Sequence, residues 1–152
     1  MDKYVIEVKN KQNVYNAKAQ AIKHDIIDLG IKTIEEIDTS DLYILYGYFT
    51  KKHLDMILKE LLVDTVIQEG KIINKPDKKN FKYIVDIFYK KGVTDSVGES
   101  SFKAIRDIGI KTVREVHTGF RYYIKGNISK DNIIKISERL LANTVIQNYY
   151  IY

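Results

Sequence analysis

The chain has 152 residues, 45% hydrophobic and 30% charged, with a net charge of +5. It holds no cysteine, which excludes disulfides, thiolate metal sites and a cysteine nucleophile of its own. No apolar run approaches the roughly 20 residues needed to span a bilayer, and the charged start Met1-Asp2-Lys3 leads into a strand rather than a signal peptide. A cytoplasmic protein without a membrane partner is expected.

Tyr4-Val5-Ile6-Glu7-Val8 is rich in β-branched and aromatic residues and reads as a strand. A polar turn, Lys11-Gln12-Asn13, follows. Asn16 is an N-cap candidate for a helix on which Ala19, Ile22, Ile26 and Leu29 keep helical spacing. Gly30 closes that helix, because a left-handed residue past a helix end costs least as glycine. The next segment, Ile31–Thr39, is ambiguous. Ile34 and Ile37 are three apart, which suits a helix, yet a glycine stop precedes them and Thr39-Ser40-Asp41 looks like a hairpin turn. The reading is a strand with room for a bulge, then a return strand over Leu42–Phe49. Thr50 caps a second helix with Leu54, Ile57, Leu58 and Leu61 on one face. A last strand is expected at Thr65–Gln68. Asn74-Lys75-Pro76-Asp77-Lys78-Lys79-Asn80, with the only proline, is the linker.

Beyond the linker the chain begins again. Residues 3–72 align with 82–151 at a constant shift of 79, without a gap. Ile26–Ile37 returns as Ile105–Val116, and Leu61–Gln68 as Leu140–Gln147. The second copy repeats every element. Its strand is Tyr83–Tyr89, and Lys90-Lys91-Gly92 is its turn. Asp95 is the aligned cap, and Ser96-Val97-Gly98-Glu99 also fits a capping box. The helix carries Val97, Ser101, Ile105 and Ile108, with Phe102 beside them, and Gly109 as its stop. Strands follow at Ile110–Thr118 and Arg121–Lys125, on either side of Thr118-Gly119-Phe120. Ser129 caps a helix bearing Ile133, Ile136 and Leu140, and Thr144–Ile151 is the last strand.

The chain therefore divides into a first copy (1–73), a linker (74–80) and a second copy (81–152). Each copy reads as β-α-β-β-α-β, an α+β unit whose helices cover one face of an antiparallel sheet. A unit of about 70 residues buries only roughly 60% of its unfolded surface. Each copy is expected to use the other as part of its fold, as a covalent pseudo-dimer with two-fold symmetry. Residues 1–79 carry 13 residues of each charge sign, whereas 80–152 carry 12 basic and 7 acidic ones, so the whole excess lies in the second copy.

No constellation for catalysis stands out. His24, His53 and His117 lack metal-ligand spacing and read as surface residues. No nucleophile elbow or phosphate-binding glycine loop is present. The Gly92–Glu99 stretch opens a helix and could greet an anion, but a turn plus a cap explains the same residues. The 12 tyrosines suit sheet packing and interfaces better than base stacking, since no RNA-binding octapeptide accompanies them. No catalytic, cofactor-binding or metal-binding residue is assigned. A binding or assembly role is expected, without nucleic acid.

Lys91-Gly92-Val93-Thr94-Asp95-Ser96-Val97-Gly98-Glu99, then Ile108-Gly109-Ile110, Val116-His117-Thr118-Gly119 and Leu140-Leu141-Ala142-Asn143-Thr144-Val145-Ile146-Gln147-Asn148-Tyr149 together resemble the PurS family, the small subunit of phosphoribosylformylglycinamidine synthase. The resemblance covers 81–152, and through the repeat 3–72. Lys91 and Thr144 stand where the family usually has proline, and Phe120-Arg121 where it often has lysine. In the first copy Asn13, Asn16 and Ala19 replace Gly92, Asp95 and Gly98.

The resemblance implies an accessory subunit that bridges a glutaminase and an ATP-dependent synthetase and needs no cofactor. Gly92, Asp95, Gly98, Gly119 and Arg121 would then be partner-contact or structural motif residues, with Gly30 and Gly109 as helix C-caps. Further self-association of the tandem chain is left open. A tandem ligand-binding regulatory module is the alternative reading, and a basic RNA-binding sheet the third.

Overall fold

The computed structural model describes residues 1–152. The elements are β1 (Asp2–Asn10), α1 (Ala17–Asp28), β2 (Ile34–Gly47), α2 (Lys51–Met56), β3 (Gln68–Ile73), β4 (Tyr83–Tyr89), α3 (Ser96–Asp107), β5 (Val113–Gly126), α4 (Lys130–Ile136) and β6 (Gln147–Ile151). α2 and α4 each continue into a π-helical turn, Ile57–Leu62 and Ser137–Leu141. The strands form one antiparallel sheet in the order β3-β1-β2-β5-β4-β6.

The chain condenses into two compact units that are cut differently from the sequence copies. Unit 1 comprises Met1–Val14, Asp41–Asn74 and Thr94–Gly119. It contains β1, the second half of β2, α2, β3, α3 and the first half of β5. β1 pairs with β2 from Asp2↔Gly47 to Val8↔Asp41, and with β3 from Val5↔Ile73 to Asn10↔Gln68. Its core joins Ile6, Val8, Leu45, Leu54 and Ile57 to Ile105, Ile110, Val113 and Val116.

Unit 2 comprises Tyr15–Ser40, Lys75–Val93 and Phe120–Tyr152. It contains α1, the first half of β2, β4, the second half of β5, α4 and β6. β4 pairs with β6 from Val85↔Ile151 to Tyr89↔Gln147. Ala19, Ile26, Ile34 and Ile37 meet Val85, Ile87, Tyr122, Ile124, Ile133 and Ile136 in its core. Each unit has four strand segments and two helices, the complement of one βαββαβ unit. The first helix of each unit comes from the other copy: α3 lies with the strands of copy one, and α1 with those of copy two.

The hairpins expected at Thr39-Ser40-Asp41 and Thr118-Gly119-Phe120 are absent. β2 and β5 run straight through these residues as 14-residue strands. Two-residue hairpin turns put at least one central residue at positive φ, and none of these six has one. The three-residue spacing of Ile34/Ile37 and Val113/Val116 belongs to the strand starts, where both members are buried.

The last strand of copy one starts later than the pattern suggested. Residues 64–67 form a turn ahead of β3, held by Asp64 Oδ1 accepting from Val66 N (3.1 Å) and Gln68 Oε1 accepting from Asp64 N (3.1 Å). Asn143 and Gln147 make the matching bonds at 3.2 and 2.8 Å. The face read on α3 holds at Ile105, Ile108 and Phe102, which meet the core of unit 1, and departs at the first turn. Val97 is 55% exposed, while Gly98 and Ile105 are buried.

A candidate partner-docking site on unit 1

α3 is capped by Asp95, not by the Ser96 of the alternative capping box. The Asp95 carboxylate is the N-cap: Oδ1 accepts from Gly98 N (2.9 Å) and from Thr118 Oγ1 (2.7 Å), and Oδ2 accepts from Thr118 N (2.6 Å). One side chain thus ties the helix start to β5. A carboxylate with three donors is satisfied, and its geometry is that of a structural tie rather than a general base.

Gly98 is required by closeness. A Cβ there would lie 2.6 Å from the Val116 carbonyl oxygen and 2.8 Å from the Asp95 carboxylate. In copy one the same offsets hold Asn16 and Ala19. Asn16 Oδ1 accepts from Ala19 N (3.0 Å) and its Nδ2 donates to Thr39 Oγ1 (2.9 Å). The amide reproduces the cap bond and donates to the threonine hydroxyl, where the Asp95 carboxylate accepts from it.

The other motif residues stand apart from this tie. Gly92, at φ +87°, forms the turn after β4, where Val93 N donates to Lys90 O (3.1 Å). Gly119 is buried in β5 in extended backbone. Arg121 is also buried, 5% exposed, and donates from Nε and Nη2 to Asp86 Oδ1 and Oδ2 at 2.7 and 2.8 Å. Burial alone would push its guanidinium down, but the hydrogen bond and charge of Asp86 outweigh that and hold it above its ordinary value. Gly30 and Gly109 sit one residue past the caps Leu29 and Ile108, at φ +98° and +101°.

Sequence reasoning missed the surface next to Asp95. A groove of about 310 Å³ runs between α3 and the π-helical turn after α2, lined by Leu61, Leu62, Ser96, Val97, Ser100, Ser101 and Ala104. It exists because α3 carries serines and an alanine where bulk would be needed to close it. The 79-residue shift supplies the signal. The aligned residues of α1 are Ala17, Lys18, Ala21, Ile22 and Asp25, and there Ile22 packs on the core of unit 2 while the Lys18 ammonium lies 4.0 Å from the Phe120 ring centre.

His53 Nδ1 accepts from Thr50 N (3.2 Å) and so completes a capping box for α2. His117 meets Glu115 at 3.0 Å on the surface. No three His, Cys, Asp or Glu side chains gather as a metal site. Burial first, then the Asp41 and Asp95 carboxylates, raise the Tyr43 phenol above its ordinary 10.0.

The family model described as PurS: Phosphoribosylformylglycinamidine (FGAM) synthase matches residues 3–75 and matches again at 82–152. The chain belongs to the PurS family. The phosphoribosylformylglycinamidine synthase subunit PurS of Archaeoglobus fulgidus is 40% identical over 75 residues, which span 94% of that protein and 45% of this chain. The PurS match thus falls once on each copy, and the chain is a tandem duplication within a family tied to purine biosynthesis. No helix is long and apolar enough to cross a membrane.

Proposed function

We propose that this tandem PurS chain is a non-catalytic assembly subunit of phosphoribosylformylglycinamidine synthase, bridging a glutaminase subunit and an ATP-dependent synthetase subunit in the cytoplasm. The observation that carries this reading is the double family match, which falls once on each copy and leaves 1–2 and 76–81 outside. Glutamine hydrolysis needs an activated nucleophile, and a chain without cysteine leaves that step to a partner. The sequence copies, 1–73 and 81–152 around the linker 74–80, are on this reading the two inherited PurS units.

Partner contact is lopsided. α3 borders an open apolar groove, and the same helix is fixed at its start by Asp95. Rigid positioning lowers the ordering cost of association, so a well-tied helix edge suits a docking role. The groove takes an apolar side chain of a partner subunit, while Asp95, Gly98 and Gly119 hold the surface that presents it.

The test is reconstitution. Glutaminase and synthetase subunits are mixed with and without this chain, and both complex size and glutamine-dependent formation of formylglycinamidine ribonucleotide are measured. Assembly and product formation are expected to require the chain, and Val97→Asp is expected to weaken assembly without lowering the melting temperature. Full assembly and full rate in its absence would refute the proposal.

A further inference from the structure

We infer that Arg106, Lys111 and Arg114 form a docking patch for a carboxylate-rich segment of a partner protein. The three lie where α3 gives way to β5, Arg106 half-buried and the other two exposed. Arg106 Nη1 donates to Lys111 O (3.3 Å), and Arg114 Nη1 donates to the same oxygen (3.2 Å). Lys111 Nζ donates back to Arg106 O (2.9 Å). The Arg106 guanidinium also lies 5.9 Å from the centre of the Phe102 ring, which helps to fix it. Three cations are thus held side by side by backbone oxygens rather than by carboxylates. Glu115, beside Arg114 in sequence, meets His117 at 3.0 Å instead.

The other copy shows that the fold does not ask for this cluster. At the aligned positions copy one has Ile27, Lys32 and Glu35. There Ile27 packs on the core of unit 2, and Lys23 Nζ donates to Glu35 O (2.8 Å). A lysine past a helix end offsets the partial negative charge of the last carbonyls, which explains Lys111 and Lys32 alike. It does not explain the arginines, because copy one makes the same helix stop and strand start without them. Copy two gives up an apolar contact and an acid to gather charge. Each guanidinium keeps further N–H donors for a planar, two-point acceptor such as a carboxylate. On an open surface one small anion stays hydrated, whereas carboxylates along a single chain engage all three cations together. Unit 1 as a whole is balanced, with 11 basic and 11 acidic residues, so the patch suits a short acidic segment rather than a long phosphate track. The patch would serve the assembly role proposed above, but its test needs no partner subunit, so either reading can fail alone.

A fluorescein-labelled oligoglutamate peptide is titrated with the full chain at low salt and followed by anisotropy, with thermal melts as a check on folding. The parent is expected to bind it. Arg106→Ile/Arg114→Glu, which installs the residues of copy one, is expected to weaken binding by more than about tenfold. Arg106→Gln/Arg114→Gln should do the same without reversing a charge. Lys78→Glu/Lys79→Glu in the linker is expected to leave binding unchanged. No binding by the parent, full binding by both arginine double variants, or binding lost on the linker variant would each overturn the inference. So would tighter binding of a single-stranded oligonucleotide, or displacement of the peptide by inorganic phosphate beyond that by chloride at equal ionic strength.

Discussion

Asp86 and Arg121 form a two-point ion pair in the interior of unit 2, at 2.7 and 2.8 Å, with both side chains almost fully withdrawn from water. At the aligned positions copy one has Glu7 and Leu42, both of them buried. One copy therefore places a fork of charge where the other places a leucine. Arg121→Leu would leave the Asp86 carboxylate buried without its main partner, and a cost of about 3–5 kcal/mol is expected. Asp86→Leu/Arg121→Leu together should recover most of that loss, as read by urea unfolding. Equal destabilisation of single and double variants would contradict this account.

Asp95→Ala removes the α3 cap and both bonds to Thr118. A loss of about 1–2 kcal/mol is expected. Asp95→Asn should cost less, because Asn16 performs the same cap in copy one with an amide. Thermal melts of the two variants, ranked against the parent, decide it.

Gly98→Ala and Gly30→Ala separate crowding from backbone strain. At Gly30 nothing lies within 4 Å of a new methyl, and only its φ of +98° is unfavourable, so about 1 kcal/mol is expected. At Gly98 the methyl would meet a backbone carbonyl 2.6 Å away, in a strand that cannot yield locally. Gly98→Ala should therefore be the more damaging, and chemical denaturation of both variants measures the order.

The alkaline limb is set in part by Tyr43. Burial, then Asp41 and Asp95, raise its pKa in the folded state above the ordinary 10.0. The unfolded chain then gives up this proton more readily, so the contribution to stability is complete below pH 10.0 and is lost as pH rises through the folded value. Asp41→Asn should bring the Tyr43 titration down, which is visible as earlier tyrosinate absorbance. An unchanged titration curve would show that the neighbouring charge is not felt.

Caps and stops were legible because they depend on local chemistry. Asn16, Thr50, Asp95 and Ser129 each accept from a backbone N–H three residues on. What periodicity cannot report is the partner against which a face is buried. Ala19 and Ile26 announced an apolar face, but nothing local says that it packs on Val85 and Ile87 of the other copy. The burial of Arg121 was not legible because long charged side chains are almost never buried unless paired, and its partner lies 35 residues away. Ser40 and Gly119 carried turn composition but sit in long strands, where ladder pairing along the whole strand outweighs a weak turn preference.

Cleaving the linker should yield two fragments that remain together. Unit 1 needs residues 94–119 and unit 2 needs residues 15–40, each from the opposite copy. Separately produced 1–74 and 81–152 are expected to regain the parent's circular dichroism only when mixed one to one. Native-like spectra from each fragment alone would contradict the interleaving.

That interleaving also bears on descent. Once a duplicated chain has lent its helices across the repeat, neither half can be lost, traded or repaired by itself. A change in α3 is tested against the strands of copy one, and a change in α1 against those of copy two. The halves are free to differ in side chains, as Asp95 and Asn16 do, only where the borrowed helix still fits its host. Selection acts on two such mixed pairings rather than on the two halves that the gene spells out.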